Sequence, residues 1–219
     1  FFYLISNKKS NGKRRVSTNN IITTDGILSL ADFRYIDSRV GLSGAGINGL
    51  HLMGKRPNLK GAVADARLLQ YGWTQCATVA SSTVLRAEPD LLWRPWDSDL
   101  RNLFDKTYAT KPAVRVVVSR NAFSKDELGQ FPLFNQENDS NIVAVIATTD
   151  SGKAKINNEM AKMDKQPKVI VESFGQTGVD VVKLVEYLGD RFKFDEIDWQ
   201  GGGQLTGEAI KAGIVDIFR

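Results

Sequence analysis

The sequence predicts an α/β fold, a three-layer sandwich with a mostly parallel central sheet. Three observations point there. Short β-branched runs bounded by turn residues alternate with segments of helical spacing, the order from which parallel sheets with helices on both faces are built. Most of these runs are continuously apolar, as strands covered on both sides are. Late in the chain a strand-like run meets three consecutive glycines, Gly201-Gly202-Gly203, and then a helical pattern.

Taken in order, strands are expected near Asn19 to Thr23, Cys76 to Ala80, Val114 to Val118, Ile142 to Ala147, Val169 to Ser173 and Phe194 to Trp199. Each is short and rich in β-branched or aromatic residues. Helical spacing is clearest from Val179 to Leu188, where Val181, Leu184, Val185 and Leu188 share one face. Asp180 is its expected N-cap and Gly189 its expected stop. Ala62 to Tyr71 and Leu205 to Ala212 are the other helices, the latter ended by Gly213. Ser98 to Phe104 reads as a short helix within a longer insertion. Two stretches read as loops: Ser38 to Lys60, rich in Gly and Asn, and Gly152 to Lys168, rich in Lys, Asn and Gln. A basic arm over residues 1–16 and one domain over 17–219 is the simplest division of the chain.

Composition excludes more than it assigns. The net charge of +4 is mild and suits a phosphorylated ligand. The basic run Lys8-Lys9 to Lys13-Arg14-Arg15 lies among Ser, Asn and Gly and reads as a solvated arm. It lacks the interleaved aromatic platform of single-strand binders, so no nucleic-acid partner is expected. No run approaches a membrane span, and Phe1 to Ile5 is too short for a secretory signal. One cysteine, Cys76, rules out an intramolecular disulfide framework and fits a reducing cytoplasm. Cys76 sits in an apolar run and reads as a buried small hydrophobe. One histidine, His51, forms no cluster, and no metal site is expected.

The glycines carry the chemistry. Glycine lets the backbone approach a ligand closely. The free N–H groups and the dipole of the following helix then favour an anion. A phosphate or pyrophosphate is the natural occupant, and a bare tight turn is the alternative.

Four motifs in order resemble one family. The stretch Gln200-Gly201-Gly202 to Leu205 to Ala212-Gly213-Ile214-Val215-Asp216 is similar to a Glu-Gly-Gly, Leu, Ala-Gly-Leu-Val-Asp signature. Upstream stand Ala80-Ser81-Ser82-Thr83-Val84-Leu85-Arg86-Ala87-Glu88-Pro89, then Thr23-Thr24-Asp25-Gly26, and Val116-Val117-Val118-Ser119-Arg120 followed by Pro132-Leu133-Phe134. Together they resemble the riboflavin-biosynthesis pyrimidine reductases, and the resemblance runs from about Ser17 to the C-terminus. It implies a dihydrofolate-reductase-like fold, NADPH as cofactor, and reduction of a ribosyl to a ribityl group on a phosphorylated aminopyrimidine. It implies a homodimer as well. The family continues with further strands beyond the Val-Asp motif, while this chain stops at Arg219 and starts at Phe1; a piece of a longer protein, or one lacking some regions, is expected.

Carried over by position, Gly201, Gly202 and Gly203 face the NADPH phosphates, and Gln204 and Leu205 begin the supporting helix. Thr83 hydrogen-bonds the cofactor, or else caps a short turn. Ser119 and Arg120 meet the adenosine end. There Arg120 either grips the 2′-phosphate with its fork of donors or is a solvated loop arginine. Leu91 and Arg94 lie on the substrate side, with Arg94 a ligand for the substrate phosphate, although Pro89 and Pro95 give the same stretch a structural reason. Asp25 accepts from the pyrimidine, or opens an Asp-Gly turn. Gln200 stands at the catalytic position where the family usually has Glu; the amide keeps an acceptor, loses the charge and gains a donor. The rival reading is a catalytically weak nucleotide-binding homologue with a regulatory or assembly role.

Overall fold

The computed structural model describes residues 70–74, 77–87, 89–90, 92–95, 97–136, 141–200 and 203–216, and the backbone alone at 15–18 and 217–218. Among the described residues seven strands form one sheet: β1 (Arg15–Thr18), β2 (Ala77–Ser81), β3 (Ala113–Val118), β4 (Ile142–Thr148), β5 (Val169–Ser173), β6 (Glu196–Gln200) and β7 (Ile217–Phe218). Their order across the sheet is β5-β4-β3-β2-β6-β1-β7, and every neighbouring pair is parallel. Parallel neighbours need crossover connections. Between β2 and β7 these are supplied by α1 (Ser82–Ala87), α2 (Ser98–Thr107), α3 (Lys125–Gln130), α4 (Asp150–Met160), α5 (Val181–Phe192) and α6 (Gly203–Lys211). No described helix is long and apolar enough to cross a membrane.

The apolar runs are strands for the reason expected of them. All six residues of β3 are buried, as are six of the seven in β4, so both faces of the central strands are covered. In α5, Val181, Leu184, Val185 and Leu188 are the buried face, and Asp180 accepts hydrogen bonds from the N–H groups of Val182 and Lys183.

Three expectations need correction. Gly152 to Lys168 is not a loop along its first half, because α4 occupies Asp150–Met160. Thr149 caps it, accepting from the N–H of Gly152 at 3.1 Å. Only Gly152 and Ile156 of this helix are buried, so almost no apolar periodicity marks it. Gly189 does not stop α5; it is buried inside the helix, which runs to Phe192 and ends at a left-handed Lys193. The insertion between β2 and β3 holds two helices, α1 and α2, and α2 extends to Thr107. β1 takes in the last two residues of the arm expected over 1–16. The strand expected at 19–23, most of the helix expected at 62–71, the loop at 38–60, His51 and Cys76 lie outside the described residues.

The connection between β3 and β4 carries a signal that a sequence can show. Ser124 and Glu127 form a reciprocal capping box at the start of α3, and Arg86 of α1 reaches the same Glu127 with an Nε–Oε1 distance of 2.6 Å. Burial pushes the Glu127 carboxyl up, but the Arg86 hydrogen bond and charge and the Ser124 N–H outweigh it and hold it below its ordinary value. The stability contributed by ionised Glu127 is therefore present above the ordinary carboxylate range and lost as pH falls through the lowered value. Ser124→Ala should cost about 1 kcal/mol in urea unfolding at neutral pH. A midpoint unchanged from the native chain would show that the cap contributes nothing.

Candidate functional site

In an all-parallel sheet every strand ends at the same edge. Here that edge carries Ser81 at the end of β2 with Ser82 and Thr83 beyond it, Ser119 and Arg120 after β3, Thr149 after β4, Gln200 at the end of β6, and Gly203 at the start of α6. The chain leaves β2 toward β3 on one side and leaves β6 toward β7 on the other. The β2–β6 boundary is thus a point where the strand order reverses, and in open α/β sheets ligands bind in the crevice outside the strand ends at such a point. Ala80 pairs with Gln200 across this boundary. Two motifs about 120 residues apart in sequence are brought side by side by this pairing.

The expected residues fall out as follows. Thr83 is exposed at the second position of α1, so it is not the cap of that turn. Gly203 opens α6 and is exposed, as is Gln204, and no atom of the described residues lies within 4 Å of where a Cβ on Gly203 would sit. Leu205 is buried in the core, leaving its backbone N–H as its contribution to the helix end. Ser119 is buried and donates its hydroxyl to the carbonyl of Asn121 at 2.7 Å. Arg120 is exposed and makes no hydrogen bond or ion pair among the described residues. Arg94, in the irregular segment 92–95, pairs with Asp105 of α2 at 3.0 Å and lies over the Phe104 ring at 5.7 Å. Its guanidinium thus fastens α2. Asp25, Leu91, Gly201 and Gly202 lie outside the described residues. Among the described residues no group of three or more His, Cys, Asp or Glu side chains could hold a metal ion.

Beneath the crevice lies a buried polar row. Arg115 of β3, Thr78 of β2 and Asp198 of β6 are adjacent in register and each is 0% exposed. Neighbours in register on parallel strands share a face. The Arg115 guanidinium donates to the carbonyl of Trp73 at 2.7 Å, that of Trp93 at 3.0 Å and the Thr78 hydroxyl at 3.1 Å. It also packs over the Phe104 ring at 5.6 Å. Gln200, two residues beyond Asp198 and 8% exposed, donates its Nε2 to Asp198 Oδ2 and accepts from Trp73 Nε1 at 3.1 Å. The helical segment 70–74 covers this face so closely that a Cβ on Gly72 would overlap the Asp198 carboxylate.

Sequence reasoning singled out none of Trp73, Thr78, Arg115 and Asp198. Two of them left a signal, a charged residue inside an otherwise apolar run: Ala-Val-Arg-Val-Val-Val and Glu-Ile-Asp-Trp-Gln. A buried charge requires partners.

Comparison with known proteins bears on this edge directly. Residues 74–219 match the model of the RibD C-terminal domain. No curated protein matches the chain. Among solved structures the chain is similar to a pyrimidine reductase-like protein from Corynebacterium diphtheriae, with a TM-score of 0.57 and 16% identity over 94% of this chain and 72% of that one. It is similar to RibD of Acinetobacter baumannii, with a TM-score of 0.54 and 15% identity over 95% of this chain and 45% of that one. For the riboflavin biosynthesis reductase of Saccharomyces cerevisiae the TM-score is 0.50 and the identity 11%, over 96% and 73% of the two chains. At such identities the likeness is one of fold. The family match is the stronger finding, since it spans β2 through β7, and on that ground the chain belongs to the RibD C-terminal domain family.

Proposed function

We propose that the chain is an NADPH-dependent reductase that converts a ribosyl to a ribityl group on a phosphorylated aminopyrimidine in riboflavin biosynthesis, or a close relative acting on another small substrate. One observation carries the reading: β6, at the boundary where the strand order reverses, leads to the N-terminus of a nine-residue helix whose first residue, Gly203, leaves its side open. That is the cradle a phosphate requires. NADPH, when bound, supplies the hydride. The chain's own residues bind and orient. Gly203 and Gln204 offer backbone N–H groups at the helix end, Thr83 offers a hydroxyl from the facing motif, and Arg120 offers a guanidinium with no internal claim on it. The covering segment 70–74 and the buried row beneath it hold Gln200 in place. Homodimeric assembly and a cytoplasmic setting belong to the same proposal. The test is oxidation of NADPH with the ribosylaminopyrimidine phosphate as acceptor. NADPH binding without turnover would favour the regulatory homologue instead, a reading supported by the internal hydrogen bonds of Gln200.

Arg120 gives a sharper expectation. A charge-assisted contact to the 2′-phosphate is worth about 1.5–3 kcal/mol, so NADPH should bind about tenfold or more tightly than NADH. Arg120→Ala should remove most of that difference while leaving NADH affinity unchanged. Equal affinities for the two cofactors in the native chain would sink this role for Arg120.

A further inference from the structure

The residue at the catalytic position is an amide, and a carboxylate lies one pleat below it on the same face of β6. The amide is held from two sides. Its Nε2 donates to Asp198 and its Oε1 accepts from the Trp73 indole. Rotating the amide by half a turn would set Oε1 against a carboxylate and the NH2 against an indole N–H, and both contacts are repulsive. One orientation therefore survives. Trp73 is fixed in turn by Arg115, which donates to its carbonyl. Gly72 leaves the room that the Asp198 carboxylate fills.

We propose that Asp198 and Trp73 are positioning residues that key this site to a neutral amide at position 200. The second N–H of Gln200 is then left for a carbonyl-type oxygen of the ligand, while Asp198, fully buried, stays out of ligand contact. The inference rests on the reductase reading for its ligand, but the lock itself is a property of the fold. A carboxylate at position 200 would face Asp198 from its own strand and the indole of Trp73 from the covering segment. Among the described residues the cation in this row is Arg115, which stands on the far side of Thr78. Two acids so placed share one proton.

The experiment compares the native chain with Gln200→Glu and with the exchanged pair Asp198→Asn/Gln200→Glu, reading urea unfolding across pH and NADPH turnover. In Gln200→Glu the new acid binds its proton more tightly folded than unfolded, so stability should fall as pH rises above the ordinary carboxylate range. The exchanged pair should lose that fall, because the amide and the acid have only traded places. Turnover should stay about tenfold or more below native in both variants, since neither offers an N–H at position 200. A Gln200→Glu chain that folds only in acid while the exchanged pair folds normally is the same result in stronger form. The lock is overturned if both variants fail to fold, or if their stabilities depend equally on pH. The role of the N–H is overturned if the exchanged pair turns over at the native rate. Absence of NADPH oxidation in the native chain would remove the reductase reading, and the unfolding curves would still decide the lock.

Discussion

Arg115→Met is expected to lower the free energy of unfolding by about 3–5 kcal/mol, the range seen when one member of a buried charged network is removed. Methionine keeps much of the volume and adapts to irregular space, so little of this loss comes from a cavity. It comes from the acceptors left behind. The carbonyls of Trp73 and Trp93 and the hydroxyl of Thr78 lose a charged donor, and a buried acceptor without its partner costs about 1–3 kcal/mol. Trp93 adds to the effect. It is buried with a φ of 46°, a region that bulky residues rarely occupy, and the Arg115 hydrogen bond is one of the contacts that holds it there. Arg115→Lys should recover less than half, because one ammonium cannot span acceptors that a fork of five donors reaches. Urea midpoints at fixed pH measure both variants. A loss below about 1 kcal/mol for Arg115→Met would mean that the row is incidental to stability. Because Trp73 connects Arg115 to Gln200, the same variant should also lower turnover before it unfolds.

What the sequence disclosed and what it withheld have a common physical cause. The strands at 113–118 and 142–148 were legible to within one residue at either end, because burial on both faces imposes a continuous apolar run; Val169 to Ser173, half-buried at the sheet edge, was legible to the residue from its β-branched start. The helix α5 was legible because one face packs on the sheet and the other meets water. The helix α4 was not, since a helix that buries only Gly152 and Ile156 leaves no stripe to read. Its cap, Thr149, was the sole local mark. The short helix α3 had a better one in Ser124 and Glu127. At the candidate site the glycines, Thr83 and Arg120 were visible as motifs, and the sheet topology explains why the motifs meet. The row of Arg115, Thr78 and Asp198 could not be read in the same way. Its members come from three strands, and only their register, Thr78 opposite both Arg115 and Asp198, makes them neighbours. The donor that Gln200 has and glutamate lacks could be noted from the sequence, but not that Asp198 receives it.

Gly203→Asp should move stability and cofactor affinity in opposite directions. Gly203 is the first residue of α6 and its backbone is not left-handed. A Cβ there would meet nothing within 4 Å. Nothing among the described residues therefore requires glycine there. Replacing it removes conformational freedom from the unfolded chain, worth about 0.4–1 kcal/mol at a compatible position. An acid in the first turn of a helix adds about 0.3–1 kcal/mol through the macrodipole. If the residue served only the fold, the variant would simply be the more stable protein. A phosphate at the helix end changes the outcome. A carboxylate about 4 Å from a phosphate charge is repelled by about 4 kcal/mol at the effective dielectric of a protein surface. Even after salt and side-chain movement reduce that figure, NADPH affinity should fall about a hundredfold or more. Gly203→Ala separates size from charge: it should keep the gain in stability and lose about tenfold in affinity or less. The measurement is cofactor titration beside thermal unfolding of the same samples. If Gly203→Asp binds NADPH as the native chain does, the phosphates lie elsewhere and the three glycines are a turn. If instead it loses both affinity and stability, the open space beside Gly203 is filled by something other than a ligand, and the helix end is part of the packed fold.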